Sequence, residues 1–115
     1  MEKIRGVVAF KHNFEDFSNK QPTKIQNKIF KIIEAVDTLK RIPSHYLKHI
    51  NNTNGLYEIR KQLGSNIWRV FCFFNKGRIV VLLNEFCKKT DKTPRKEINR
   101  AITLMNEYKY QEFAK

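Results

Sequence analysis

The apolar residues of this chain follow two different periods, and these periods predict where helices and strands lie. After Pro22 the apolar residues recur every three or four positions, at Ile25, Ile29, Ile32, Ile33, Val36 and Leu39. This period predicts an amphipathic helix with Pro22 at its first position and an end at Ile42-Pro43. A second helix is predicted towards the C-terminus, with Thr93 as its hydroxyl N-cap and Pro94 next. Its apolar stripe is Ile98, Ala101, Ile102, Met105 and Tyr108.

Four strand-like segments account for most of the remaining chain. Residues 4–10 are apolar enough for a first strand, and three further strands are predicted at residues 56–63, 67–74 and 78–86. Turn-forming residues separate the last three strands, and the final strand is apolar on both faces, as expected of a central strand. A short helical turn is predicted around Phe14 and Phe17, and residues 44–54 are predicted to form a polar connection. The order β-α-(α)-β-β-β-α predicts an α+β fold, with an antiparallel sheet packed against N-terminal helices and a C-terminal helix.

Net charge gives the first indication of function. The 115 residues, enough for one domain, hold 23 Lys and Arg against 11 Asp and Glu, a net charge of +12. Such a basic domain usually meets a polyanion, although a merely solvated basic surface is the alternative. Nucleic acid is favoured over a membrane, because the single Trp falls in a strand and no apolar run approaches the roughly 20 residues of a span. The N-terminal residues do not resemble a signal peptide, so cytoplasmic residence is expected.

Cysteine and histidine spacing gives no prediction of a metal or cofactor. Cys72 and Cys87 lie in or at the end of apolar strand segments, which predicts buried free thiols. Neither resembles part of a paired zinc motif. His45 and His49 have helical ligand spacing, but they lie beside Pro43 in a segment with weak helical signal. We therefore expect no metal site and no cofactor.

Cationic side chains converge on one face of the predicted sheet. Strand alternation places Glu58 and Arg60 on the same face of their strand, and Arg69 shares its face with aromatic residues on the next strand. An arginine among aromatics is costly to bury without a partner. Either Glu58 forms an ion pair with Arg60 or Arg69, or this end of the face is an open phosphate-binding surface. Both hold together if the carboxylate fixes the geometry of a catalytic arginine.

A basic loop follows the last predicted strand. Residues 88–96 contain five cations and one acid, and the cations are Lys88, Lys89, Lys92, Arg95 and Lys96. A solvated turn is the simplest interpretation. The loop, however, enters the N-terminus of a helix, where N–H groups and the helix dipole already favour anions. A bound phosphate would explain lysines that are unfavourable for the helix itself, so we predict phosphate binding here.

These residue types suit RNA cleavage without a metal ion. Arginine and lysine can stabilise the negative charge that develops on the phosphorane. The general base and acid are usually His or Glu, and Glu58 is the only carboxylate in the cluster. A lysine whose pKa is lowered by neighbouring cations is the alternative. The sequence leaves this choice open.

Three ordered motifs resemble the RelE/HigB superfamily of bacterial toxins, in its HigB-like, phage-related branch. They are Leu56-Tyr57-Glu58-Ile59-Arg60, Arg69-Val70-Phe71 and Phe86-Cys87-Lys88-Lys89-Thr90-Asp91-Lys92-Thr93-Pro94. The resemblance implies a compact fold like that of microbial ribonucleases. It also implies a toxin of a type II toxin–antitoxin pair that cleaves mRNA in the ribosomal A site. The implied partners are mRNA, ribosomal RNA and a helix-turn-helix antitoxin, with no membrane.

The resemblance also implies roles for individual residues. Arg60 and Arg69 match the transition-state and phosphate-binding arginines, whereas Glu58 matches a supporting or acid–base position. Lys88 and Lys89 fall on the family's basic loop as catalytic cations, and Lys92 is a further RNA contact. Arg95 and Lys96, just beyond the loop, are predicted to bind RNA as well.

The chain departs from the family pattern in one respect. Many relatives have a tyrosine near the last helix, and Tyr108 and Tyr110 come too late to match it. Phe86 could stack on a base but carries no proton. An inactive RNA-binding or antitoxin-binding module on the same fold is therefore the alternative. A DNA-binding regulator lacks a visible recognition helix.

Overall fold

The computed structural model describes residues 5–38, 40–89 and 92–114. Ile4, Leu39, Thr90 and Asp91, which belong to a predicted strand, helix and loop, lie outside the described residues. Within the described part of the chain there are five strands and three helices. The elements are β1 (Gly6–Ala9), α1 (Asn13–Asn19), α2 (Thr23–Thr38), β2 (Leu47–His49), β3 (Tyr57–Leu63), β4 (Asn66–Asn75), β5 (Ile79–Lys88) and α3 (Arg95–Phe113).

The strands form one mixed sheet in the order β1-β5-β4-β3-β2. Strands β2 to β5 are antiparallel neighbours, so the predicted meander of the last three strands is confirmed. The β3–β4 turn contains Gly64 at φ 63°, a left-handed conformation that glycine adopts without a steric cost. Strand β1 pairs with β5 in parallel, with Val8 opposite Val81. The predicted α+β class is confirmed, and this one parallel pair makes the sheet mixed instead of wholly antiparallel.

One strand and both ends of one helix differ from the sequence prediction. Strand β2 lies inside the segment predicted to be a polar connection, and it pairs with β3 through Leu47 and Ile59. Three residues are too few to show an alternating pattern. The helix α2 begins at Thr23, one residue after Pro22, whose carbonyl accepts hydrogen bonds from N–H groups of the first turn. It ends at Thr38, before the predicted end at Ile42-Pro43.

Both faces of the sheet are covered, which explains why β4 and β5 are apolar on both sides. Helix α3 covers one face, and its buried residues are Ile98, Ala101, Leu104 and Met105. They pack on Leu56, which precedes β3, and on the sheet residues Phe71, Phe73, Val81, Leu83 and Phe86. Helices α1 and α2 cover the other face through Phe14, Ile29, Ile32 and Val36. Side chains of β3, β4 and β5 therefore point either towards α3 or towards α1 and α2.

Cys72 and Cys87 are both free thiols, and Cys72 is buried as predicted, whereas Cys87 at the end of β5 is only partly buried. Cys72 is fully buried, and burial raises the pKa of its thiol. Among the described residues, no helix is both long enough and apolar enough to span a membrane.

Candidate active site

A buried carboxylate between two arginines lies on the α3 face of the sheet. Glu58 and Arg60 are two residues apart on β3, and the register places Arg69 of β4 directly opposite Arg60. Oε1 of Glu58 lies 2.9 Å from Nε of Arg60 and 3.7 Å from Nε of Arg69. The two ion pairs that the sequence offered as alternatives are thus formed together. One negative charge between two positive charges leaves the cluster cationic.

The two arginines differ in exposure. The side chain of Arg69 is fully buried, whereas that of Arg60 is 21% exposed. Arg60 is therefore the arginine of this pair that can reach a phosphate without rearrangement. Arg69 lies where it can hold Glu58 and Arg60 in place, so its predicted direct contact with phosphate does not agree with its burial in this structure.

The ring of Phe86 packs against Arg69. The guanidinium carbon of Arg69 lies 5.4 Å from the Phe86 ring centroid, within cation–π range. Phe86 also stacks on Phe71 at a centroid distance of 5.5 Å, and only 5% of Phe86 is exposed. Too little of the ring is accessible for a base to stack on it. The prediction that Phe86 stacks on RNA does not agree with this burial, because the aromatic ring covers an arginine in this structure.

The second oxygen of Glu58 is held by Thr93. The Thr93 hydroxyl donates a 2.7 Å hydrogen bond to Oε2 of Glu58. The prediction that Thr93 caps the last helix is wrong, because Pro94 is the N-cap residue of α3 and no side chain caps the helix there. The hydroxyl is engaged by the buried carboxylate instead, where a charge-assisted bond is stronger. The end of the basic loop is thereby fastened to the sheet.

The predicted basic residues lie at the end of β5 and at the start of α3. Lys88 ends β5 opposite Ile67, and it is exposed, as are the neighbouring cations Lys89, Lys92, Arg95 and Lys96. Arg95 and Lys96 are the first two residues of α3, so they add positive charge where the helix dipole is also positive. The structure thus brings the loop cations to one end of the sheet, as predicted.

Lys48 is a further cation that the sequence analysis missed. It lies on β2 directly opposite Glu58, so the two side chains share a face of the sheet, and Lys48 is exposed. Lys48, Arg60, Arg69 and Lys88 come from four adjacent strands. Lys48 was missed because β2 was not predicted. Once that strand is recognised, its pairing with β3 places Lys48 on the same face as Glu58.

His45 is also near the cluster. It lines a cavity of about 310 Å³ together with Tyr46, Arg60, Lys61, Gln62 and Ile67. An imidazole beside a partly exposed arginine is suited to proton transfer. The sequence analysis considered His45 only as a metal ligand with His49. The described residues contain no group of three or more His, Cys, Asp or Glu side chains placed to hold a metal ion.

Glu85 is the third residue that sequence reasoning missed. It is 5% exposed, and neither of its carboxylate oxygens has a hydrogen-bond partner among the described residues. Burial raises the pKa of Glu85 to about 8. The pKa of the Cys87 thiol, two residues away, is raised mainly by burial, while the charge of Arg69 opposes that shift. The feature of the sequence that could have identified Glu85 is that it is a single acidic residue within an apolar strand segment.

The fold and the buried cluster define the protein as an α+β protein that presents a cationic sheet face beside the N-terminus of its last helix. It belongs to the family of phage-derived Gp49-like proteins (DUF891), whose model matches residues 16–106. Its fold is similar to that of a chain in the crystal structure of the RelB–RelE antitoxin–toxin complex from Methanococcus jannaschii. That match has a TM-score of 0.54 and 20% sequence identity, and it covers 76% of this chain and 100% of the other. The RelE-like fold is thus confirmed. Comparison with curated proteins found no match.

Proposed function

We propose that the protein is the HigB-like toxin of a type II toxin–antitoxin pair and that it cleaves mRNA on the ribosome. The observation that carries this proposal is Arg60, a partly exposed arginine held by the buried carboxylate of Glu58. A guanidinium fixed in advance can stabilise charge in a transition state without reorganising when the reaction occurs. The RelE-like fold supports the same function by analogy.

The reaction would be a transesterification within the RNA. The 2′-oxygen attacks the adjacent phosphorus in line, the bond from phosphorus to the 5′-oxygen breaks, and the products are a 2′,3′-cyclic phosphate and a 5′-hydroxyl. Arg60 would contact the non-bridging oxygens, where negative charge develops in the pentavalent state. Lys88 and Lys89 would add charge stabilisation at the same end of the sheet. Arg69 would act as a positioning residue through Glu58.

His45 is the residue we assign to proton transfer. Glu58 is nearly fully buried and engages two arginines and the Thr93 hydroxyl, so it is poorly placed to take a proton from the 2′-hydroxyl. His45 lines the same cavity as Arg60 and is itself exposed. An imidazole can take the 2′-hydroxyl proton and later return one to the 5′-oxygen. His45 is thus proposed in place of Glu58 or a lysine, the two candidates that the sequence left open.

The remaining cations would bind RNA outside the reacting phosphate. Lys92, Arg95 and Lys96 are exposed beside the N-terminus of α3, where they can contact phosphates of the message or of ribosomal RNA. A net charge of +12 supports a large polyanionic partner such as the ribosome, in the cytoplasm. We further propose a helix-turn-helix antitoxin as the neutralising partner. The similar structure is that of an antitoxin–toxin complex, which supports a partner of this kind.

The second candidate is a non-catalytic RNA-binding or antitoxin-binding module on the same fold. The burial of Arg69 and Phe86 favours this candidate, because two residues expected to touch RNA are inside the protein. The two functions make different predictions about RNA ends. A binding module would inhibit translation or bind a partner and leave the message intact.

Purified protein added to translating and to ribosome-free mRNA tests the proposal. We expect cuts inside translated codons only when ribosomes are present, with 2′,3′-cyclic phosphate and 5′-hydroxyl ends. His45→Ala should slow cleavage by about 10²-fold or more. His49→Ala is the matched control, since His49 is also exposed on the same edge of the sheet. Ribosome binding with an intact message would contradict the nuclease and support the module.

A further inference from the structure

A groove of about 340 Å³ lies between α2 and the nearby edge of the sheet, and we call it the α2 groove. The described residues that line it come from α2, from β3 and from the position before β2, and they are Lys28, Lys31, Ile32, Ala35, Tyr46 and Lys61. Three of these side chains are lysines and none is acidic. The α2 groove is therefore positively charged, and it lies on the α2 side of the sheet, whereas Glu58 lies on the α3 side.

The lysines of α2 form a row on the side of the helix that borders the groove. Lys24, Lys28 and Lys31 are separated by four and three positions, which places them next to one another on the helix surface. Neither these three lysines nor Lys61 forms an ion pair with another residue in the described part of the chain. Like charges at these spacings destabilise a helix. An anion bound in the α2 groove would offset this repulsion, so the row of lysines indicates a polyanionic ligand.

The α2 groove adjoins the cavity that Arg60 lines, because Tyr46 and Lys61 belong to the walls of both. Arg60 and Lys61 are neighbours on β3, so their side chains point to opposite faces of the sheet. Both nevertheless line the same cavity. The reason is that β2 pairs with β3 only as far as Ile59, so the following residues of β3 lie at the edge of the sheet. A flexible strand bound at Arg60 can therefore continue around this edge into the α2 groove.

Tyr46 lies at the junction between the cavity and the groove. The centroid of its ring is 4.1 Å from that of His45, and Nζ of Lys61 lies 5.8 Å from the Tyr46 ring centroid. The side chain is only partly buried, so part of its surface is accessible. Tyr46 can therefore offer an aromatic surface to a nucleotide next to the reacting phosphate.

We propose that the α2 groove binds the single-stranded segment of the message next to the phosphate that Arg60 contacts. The inference rests on the proposed function, which supplies mRNA as the ligand, and it adds a second binding site for the same strand. Sites for single-stranded RNA combine cations that follow the phosphates with aromatic rings on which bases stack. Lys28, Lys31 and Lys61 are the cations of this site, and Tyr46 is the ring.

An acidic protein segment is the other polyanion that these lysines can bind. RNA is favoured because the α2 groove adjoins the site proposed for the reaction and shares Tyr46 and Lys61 with it. A peptide bound in the groove would not need that continuity. Competition with polyglutamate distinguishes the two ligands.

Salt-dependent binding of uncleavable RNA tests the proposal. Uridine oligonucleotides methylated on the 2′-oxygen lack the attacking hydroxyl, and lengths of about 3 and about 12 nucleotides separate binding at Arg60 from binding along the longer path. Removing two phosphate contacts on a single strand makes the slope of log affinity against log salt less steep by about 1.4. We expect this change for the longer RNA in Lys28→Gln with Lys61→Gln, and a much smaller change for the shorter RNA. Fluorescence anisotropy measures both.

Two further variants separate the charge of the groove from its aromatic ring. Lys76→Gln with Arg78→Gln removes the same charge from the exposed turn between β4 and β5, and it should leave the slope for the longer RNA nearly unchanged. Tyr46→Leu should weaken binding of the longer RNA about fivefold or more at every salt concentration. The slope should stay the same in this variant, because stacking does not release counterions.

Three results would overturn the α2 groove as an RNA site. The first is an unchanged salt slope in a folded Lys28→Gln with Lys61→Gln protein, and the second is an equal change in the charge-matched control. The third is polyglutamate binding that depends on these lysines while RNA binding does not, which would assign the groove to an acidic protein segment. All the variants leave Arg60 and His45 in place, so the cleavage assay with wild type tests the proposed function separately. RNA binding through the groove with an intact message would contradict the nuclease alone.

Discussion

The hydroxyl of Thr93 donates a hydrogen bond of 2.7 Å to the buried carboxylate of Glu58, a residue 35 positions earlier in the chain. This bond joins the end of the basic loop to the carboxylate that pairs with Arg60 and Arg69. This hydrogen bond therefore helps to fix the position of the loop relative to the two arginines. It follows that the geometry of the cationic surface depends on a side chain that carries no charge.

Removing the Thr93 hydroxyl should destabilise the protein measurably. Thr93→Val keeps the shape but leaves Oε2 of Glu58 without this donor, so we expect the free energy of unfolding to fall by about 1–3 kcal/mol. Urea denaturation measures the change. Thr93→Ser, which retains the hydroxyl, is the control and should lose less. Equal stability of Thr93→Val and wild type would show that the bond contributes nothing.

Removing the Glu58 carboxylate should have a larger effect. Glu58→Ala removes the ion pair between Glu58 and the fully buried Arg69, and breaking such pairs typically costs about 3–5 kcal/mol of stability. The double variant Glu58→Leu with Arg69→Met removes both buried charges and should be more stable than Glu58→Ala. Thermal and urea unfolding of the three proteins test this ordering. A double variant less stable than Glu58→Ala would contradict the account of a compensated buried charge.

Glu85 should make stability fall as pH rises. Its pKa in the folded protein, about 8, lies above the ordinary value of 4.5, so the folded state holds this proton more tightly than the unfolded state. Between these values the folded state binds more protons, and the free energy of unfolding decreases with increasing pH. Below about pH 4.5 Glu85 does not change the free energy of unfolding, and above about pH 8 its full destabilising effect has been reached. A shift of this size corresponds to a loss of roughly 5 kcal/mol in the free energy of unfolding.

Glu85→Gln should remove this pH dependence. The amide cannot ionise, so the stability of the variant relative to wild type should increase as pH rises from about 5 to about 8.5. Urea denaturation measures this difference. Glu34→Gln, on the surface of α2, serves as the control for loss of one acid. Parallel stability curves for wild type and Glu85→Gln would show that the carboxyl is not buried as described.

The two thiols should react slowly in the folded protein. Cys72 is fully buried, and burial raises the pKa of both Cys72 and Cys87, which lowers the thiolate fraction that attacks alkylating reagents. Mass spectrometry after iodoacetamide treatment at about pH 8 should show Cys72 unmodified and Cys87 modified more slowly than in urea. Rapid modification of Cys72 without denaturant would indicate that the core opens.

Local sequence patterns were sufficient for most of the fold. The β3–β4–β5 meander has clear turns and long strands, and the 3.6-residue period of α2 is strong. Strand β2 was missed because its three residues become a strand only by pairing with β3. The parallel pairing of β1 with β5 depends on contacts between distant parts of the chain, which no local pattern encodes.

The candidate site was predictable in its residue types and less so in its burial. Alternation correctly placed Glu58 and Arg60 on one face, and the register added Arg69. Alternation predicts the face of the sheet on which a side chain lies but not how deeply that side chain is buried. The burial of Arg69 and Phe86 therefore could not be inferred. Thr93 was assigned to the helix start because local capping is a common role, whereas the buried carboxylate is a stronger acceptor.

The measurement that tests the central claim most directly is induced expression of wild type, Arg60→Ala and Arg78→Ala, scored for growth and mRNA 5′ ends. Arg60 is partly exposed, and its loss leaves Glu58 paired with Arg69, so folding should survive better than in Arg69→Ala. Arg78→Ala removes an exposed arginine near the start of β5 as the matched control. We predict growth arrest and cuts inside translated codons for wild type and Arg78→Ala. In Arg60→Ala, cutting should be reduced about 10²-fold or more. Undiminished cutting by a soluble, folded Arg60→Ala protein, or no cutting by wild type, would contradict the account.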